Sequence, residues 1–126
     1  MIYGIGVDLV KVARIEGVLA RYGDRFLSRV FTEREIAFCR GKPWAAAGFA
    51  MRFAAKEAFS KALGVGLRKG GIRWREVEVI PNPMGKPEIY LSGRAATLCE
   101  AAGIENIHLS LTDEAAHALA VVILER

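Results

Sequence analysis

Two carboxylates and a group of cations carry whatever chemistry this chain can do. Asp8 closes an alternating segment in which Gly4 and Gly6 share its face. Glu57 stands in the stretch MRFAAKEAFSKALG, with Lys61 four residues on and Arg52 and Lys56 before it. Two carboxylates, completed by water and phosphate oxygens, are how proteins usually hold Mg²⁺, which keeps much of its octahedral shell as non-protein oxygen. That chemistry favours phosphoryl or phosphate-ester transfer, where catalysis is charge neutralisation and positioning. There is no Ser-His-Asp set, no paired Cys/His zinc spacing and no nucleophile elbow. His108 and His117 lack metal-ligand spacing and read as structural. A bland arrangement is equally open to these residues: the glycines and Asp8 as a bulge or as an edge strand ending in a helix-capping Asp, and Glu57 with Lys61 as a solvated i,i+4 ion pair worth roughly 0.3–0.5 kcal/mol.

The elements that must position these groups follow from periodicity. Residues 51–64 read as a helix, alanine-rich, free of internal Gly and Pro, and stopped by Gly64. At ~100° per residue Met51, Ala55, Ala58, Phe59 and Ala62 share one apolar arc, with Glu57 nearly opposite. Phe53 on the supposedly wet side and Arg52 beside the dry one predict an enclosed helix, whose charges need partners. Residues 2–10 alternate Ile2, Gly4, Gly6, Asp8 and Val10 against Tyr3, Ile5, Val7 and Leu9, the pattern of a strand. Its two glycines leave room beside Asp8 for something large.

Residues 12–22 form a helix with Ile15, Val18 and Leu19 inward and Gly23 as its stop. Arg14 and Arg21 share one of its faces, and Arg25 and Arg29 continue the basic series. That row is either a solvated surface or a docking strip for an acidic partner helix. Thr32 and Glu35 make a capping box for a short helix to about Cys39. Gly66, Gly70 and Gly71 around Arg68 and Lys69 form either a phosphate cradle or a surface loop, and match no nucleotide motif. Strands are expected over 72–80 and 88–91 around a Pro-rich turn, then a helix over 92–103 with Ser92 as cap. Next come a strand over 107–111, a turn at Thr112-Asp113-Glu114, and a buried strand over 118–124. Segregated helices and strands give an α+β class with a largely antiparallel sheet.

One domain over residues 1–126 fits this length. No apolar run approaches the roughly 18 residues a membrane span needs. The first residues lack a basic signal-peptide start and contain an acid, and Cys39 and Cys99 fit no paired motif. These features place the chain in the reducing cytoplasm. A net charge of +4 suits an acidic protein or a phosphorylated ligand as well as a nucleic acid. The alternative to a Mg²⁺-dependent transferase is a non-catalytic basic module for an acidic partner, but aromatic interleaving and nucleic-acid signatures are missing.

GIGVDLVKVARI, FTEREI, RFAAKEAFSKALGVGL, NPMGKP and HLSLTDE occur in this order and at suitable separations. Together they resemble the holo-acyl-carrier-protein synthase family, the small bacterial 4′-phosphopantetheinyl transferases, nearly end to end. The resemblance implies that family's fold, with a long central helix, shorter helices and a largely antiparallel sheet. It implies transfer of 4′-phosphopantetheine from coenzyme A to a serine of apo-acyl carrier protein in fatty acid biosynthesis, releasing adenosine 3′,5′-bisphosphate. Asp8 and Glu57 would bind Mg²⁺, and Lys61 would neutralise pyrophosphate charge. Arg52, Gly64, Lys86, Pro87 and the 64–71 loop would lie near the coenzyme, while Arg14, Arg21 and Phe53 would grip the acidic carrier. A homotrimer with active sites between subunits is implied, with no nucleic acid or membrane partner. Many members carry His where this chain has Asp113, so no imidazole role transfers; Asp113 either orients water or a ligand group or, the favoured reading, ends a strand. The general base is left open between Glu57 itself and a metal-bound water.

Overall fold

Gly4 and Gly6 decide how the chain is assembled. A Cβ at Gly4 would overlap the Ala62 carbonyl oxygen, and one at Gly6 the Ala58 carbonyl oxygen, so a strand lies directly on a helix backbone. In the computed structural model, which describes residues 1–67 and 71–126, that strand is β1 (Ile2–Lys11). α1 (Val12–Tyr22), α2 (Asp24–Val30) and α3 (Glu33–Arg40) lead to the helix in question, α4 (Ala45–Leu63). A 3-10 turn at Trp74–Glu76 precedes β2 (Val77–Pro81), β3 (Pro87–Leu91) and α5 (Gly93–Ala101). The chain closes with β4 (Asn106–Glu114) and β5 (His117–Glu125).

β5 is the centre of a three-stranded antiparallel sheet in the order β1-β5-β4, and β2 and β3 form a separate hairpin. The register sets Asp8 opposite Ala120 and Ala120 opposite Leu111. Side chains of one parity therefore face α4 from all three strands. This is the α+β, largely antiparallel arrangement that the sequence predicts.

α4 is enclosed on most of its surface. Ala50, Ala54, Ala55, Ala58 and Phe59 are fully buried, while Met51, Phe53 and Glu57 are half-buried and Lys61 is exposed. Small alanines let the sheet approach, and the larger Phe31, Phe49, Phe59 and Leu124 fill the remaining volume. Burying each such phenylalanine contributes roughly 1.5–3 kcal/mol. The helix ends at Gly64 in the left-handed region (φ 82°), its N–H donating to the Ser60 carbonyl.

Lys56 and Glu35 are fully buried and paired at 2.9 Å. Lys56 Nζ also donates to the carbonyls of Val77 (2.6 Å) and Trp74 (3.0 Å). Glu35 accepts from the amides of Val79 and Thr32, so its capping box is built into the core. This network ties α3, α4 and β2 together. Burial pulls the Lys56 ammonium below the ordinary lysine value, and the Glu35 charge opposes that pull.

The large body expected beside the glycine face of β1 is α4, and the face left exposed carries Ile5, Val7 and Leu9. Three expectations change. Trp74 lies in the 3-10 turn and only Val77–Pro81 extends as a strand, because Arg73 and Glu76 close a local turn. Ser92 makes no side-chain cap. β4 runs through Asp113 to Glu114, since the reversal is made by Ala115 (φ 47°). The expected loop residues Arg68, Lys69 and Gly70 lie outside the described residues.

Candidate active site

The close seat of β1 on α4 brings Asp8 to the helix. Its side chain is 17 % exposed, and Lys61 Nζ donates to Asp8 Oδ1 at 3.0 Å and to the Val7 carbonyl at 3.1 Å. Lys61 thus pairs across to the strand and makes no ion pair with Glu57, its i−4 neighbour. Asp8 caps no helix: the residue before α1 is Lys11.

Glu57 lies one turn before Lys61 and is half-buried. Burial first, and then the negative charge of Asp8, hold its carboxyl above the ordinary carboxylate value, while Lys61 and Arg14 oppose the shift. Among the described residues nothing donates a hydrogen bond to this carboxylate, and none contributes a third acidic, histidine or cysteine ligand. Two repelling carboxylates, one without a donor, fit a hard divalent cation that brings most of its own oxygen shell. They do not fit zinc, which needs more nitrogen or sulfur ligands.

The basic strip is joined to this site through an aromatic side chain. Arg14 stands 5.7 Å above the Phe53 ring, and Phe53 lies one turn before Glu57. Phe53 stacks on Trp74 with centroids 4.9 Å apart. Arg21 lies further along α1, over Tyr22 at 5.4 Å.

The coenzyme residues implied by the resemblance divide into two places. Arg52 and Pro87 line a cavity of about 480 Å³, together with Phe38, Lys42, Trp44, Gly85, Leu111 and Asp113. Arg52 is 4 % exposed and fixed on both sides. Its Nε donates to the Val79 carbonyl, its Nη1 donates to the Gly48 carbonyl, and its guanidinium lies 4.6 Å from the Phe38 ring centroid. Lys86 is exposed between two cavity residues. Lys61 belongs to the carboxylate pair instead, and Gly64 is exposed at the end of α4. From Arg52 to Lys61 the helix rises about 13 Å, so a molecule reaching both must be extended.

Sequence reasoning missed Lys42, Trp44 and Asp113 as neighbours of Arg52. Asp113 lines the cavity because β4 continues past the expected turn. The Gly41-Lys42-Pro43 break before α4 was the available signal for the other two.

Comparison with known proteins bears on what this arrangement does. Residues 4–122 match the 4′-phosphopantetheinyl transferase superfamily. A holo-acyl-carrier-protein synthase of Geotalea daltonii is 47% identical over 126 residues, covering 100% of both chains. The crystal structure of the Neisseria meningitidis synthase superposes with a TM-score of 0.90 at 38% identity, covering 100% of each chain. That of Helicobacter pylori, in complex with coenzyme A, gives 0.84 at 34% identity, covering 96% of this chain and 99% of that one.

Proposed function

The chain belongs to the 4′-phosphopantetheinyl transferase superfamily, and from that premise we propose that it transfers 4′-phosphopantetheine from coenzyme A to a serine of apo-acyl carrier protein, using Mg²⁺ held by Asp8 and Glu57. The observation that carries the metal assignment is the Glu57 carboxylate, raised by burial and Asp8 and without a hydrogen-bond donor among the described residues. When bound, the ion supplies positive charge to the phosphate oxygens.

In the proposed reaction the serine O–H bond breaks, its oxygen bonds to the phosphorus bearing the pantetheine arm, and the pyrophosphate bridge breaks to release adenosine 3′,5′-bisphosphate and a proton. This chain's residues contribute position and charge. Lys61, held by Asp8 and the Val7 carbonyl, keeps an exposed ammonium at the edge of the carboxylate pair to neutralise developing oxygen charge. Arg52, pre-set by two carbonyls and Phe38, offers its remaining N–H groups to a phosphate, with Lys86, Pro87 and Gly64 near the same ligand. Arg14, Arg21 and Phe53 receive the acidic carrier protein.

We also propose a homotrimer with active sites between subunits. Its support is the apolar outer face of β1, where Ile5, Val7 and Leu9 stand in solvent beside a central strand. Two free, buried thiols, Cys39 and Cys99, accord with a reducing cytoplasm and a role in fatty acid biosynthesis there.

Intact-mass spectrometry of an apo-acyl carrier protein tests this reading. Incubation with the chain, coenzyme A and Mg²⁺ is expected to add one phosphopantetheine, and excess chelator to prevent the addition. No mass gain with well-folded carriers contradicts the proposed activity.

A further inference from the structure

Outside the carboxylate site, the described residues enclose a second basic cavity. It measures about 450 Å³ and lies between α2 and the 3-10 turn, walled by Arg29, Arg73, Trp74 and Arg75. Glu76 is its one acid, and both carboxylate oxygens are spent on backbone: Oε1 accepts from the Arg73 amide and Oε2 from the Arg94 amide. Among the described residues, none of the guanidinium groups of Arg29, Arg73 and Arg75 has an acidic partner. Arg75 and Arg73 are exposed, and so is Arg29. Like charges gathered around one hollow cost repulsion, which a carboxylate brought from outside relieves.

This cavity continues the surface already assigned to the carrier protein. Arg29 also lines a neighbouring cavity of about 280 Å³ with Val18, Tyr22, Arg25 and Phe26. On the other side Trp74 stacks on Phe53, which Arg14 covers. The basic and aromatic groups therefore run without interruption from Arg14 through Phe53 and Trp74 to Arg73, Arg75 and Arg29. Phe53 and Trp74 are half-buried against each other, so they wall the surface and leave no free pair of faces for stacking nucleic-acid bases.

We propose that Arg73 and Arg75 extend the docking surface for the acyl carrier protein, engaging acidic side chains distant from the serine that is modified. This rests on the transferase reading above. Neither arginine is among the charges that act on Glu57, neither bonds Lys61, and neither lines the Arg52 cavity. They act on carrier binding and not on the coenzyme or the chemical step. Both lie within or beside a short 3-10 turn that has no other evident reason to be basic.

The test is the full-length Arg73→Glu/Arg75→Glu variant, assayed with apo-acyl carrier protein as the varied substrate at low and high ionic strength. The KM for the carrier is expected to rise about 10-fold at low salt and to approach the wild-type value at high salt. Both kcat and the KM for coenzyme A stay within about 2-fold. Arg73→Lys/Arg75→Lys retains most of the carrier affinity, which an effect of misfolding would not produce. An unchanged carrier KM at low salt overturns the proposal, as does an equal loss in the KM for coenzyme A. Direct calorimetric titration with carrier protein reads the same surface without turnover. Arginine-dependent binding in a wild-type chain that transfers nothing would overturn the activity and leave this surface standing.

Discussion

Gly6 lies against the carbonyl oxygen of Ala58 with no space for a side chain between them, and this approach sets Asp8 beside Glu57. The residue two positions on from Gly6 and the residue one position before Ala58 are the proposed metal ligands. On the proposed assignment, the distance between strand and helix sets the separation of the two ligands.

Gly6→Ala tests it. The obstructing atom is backbone, which cannot rotate away, so strand and helix must separate at a cost of about 2–3 kcal/mol or more. Gly17→Ala is the control: nothing lies within 4 Å of a Cβ there, and inside helix α1 alanine gains up to about 1 kcal/mol. Urea unfolding is expected to show a large loss for the first and no loss for the second.

The buried Lys56–Glu35 pair gives a second prediction. Lys56→Met leaves the Glu35 carboxylate in the core without its cation, a loss of about 3–5 kcal/mol. Adding Glu35→Gln removes the stranded charge while keeping an acceptor for the Val79 amide. The double variant is expected to be more stable than Lys56→Met alone, with a coupling above about 1 kcal/mol in the double-mutant cycle. Additive effects of the two substitutions around the cycle would show that the pair is not coupled.

Glu57 should leave a signature in the metal-free protein. Its folded carboxyl is raised above the ordinary value of 4.5, chiefly by burial and then by Asp8. Between those two values the native state holds more protons than the unfolded chain, so this group makes stability fall as pH rises through the window. Relative to Glu57→Gln, the wild-type melting temperature is expected to decline across that range, and Mg²⁺ to restore it. A difference independent of pH would contradict the shift.

Much of this was legible in the sequence because the signals were local. The Thr32–Glu35 capping box, the Gly64 stop and the helix around Glu57 depend on neighbours within a turn or two. The carboxylates and Lys61 were singled out, but the only ion pair the sequence offered Lys61 was with Glu57, since i,i+4 spacing is visible in a sequence and a contact 53 residues away is not. Enclosure of this helix's charges was expected, but the partners of Lys56 were missed for the same reason: they come from α3, the 3-10 turn and β2. The glycines of β1 did signal a close approach, and only tertiary packing could say that the approaching body is α4.

Asp113 offers a prediction about the Arg52 cavity. On the wall of the proposed coenzyme site a carboxylate opposes a phosphate-bearing ligand, while Arg52 and Lys42 favour it. Asp113→Asn is expected to lower the KM for coenzyme A by about 2- to 5-fold and to leave the KM for the carrier protein unchanged. A rise in the coenzyme KM would mean that Asp113 accepts a hydrogen bond from the ligand.

The central claim is that Asp8 and Glu57 together hold the Mg²⁺ on which transfer depends. Its most direct test is the initial rate of carrier modification against Mg²⁺ concentration, in the wild type and in Glu57→Gln. The account predicts that the half-saturating Mg²⁺ concentration rises at least about 10-fold in the variant and that the maximal rate falls about 100-fold. An unchanged Mg²⁺ dependence with wild-type rates would contradict it.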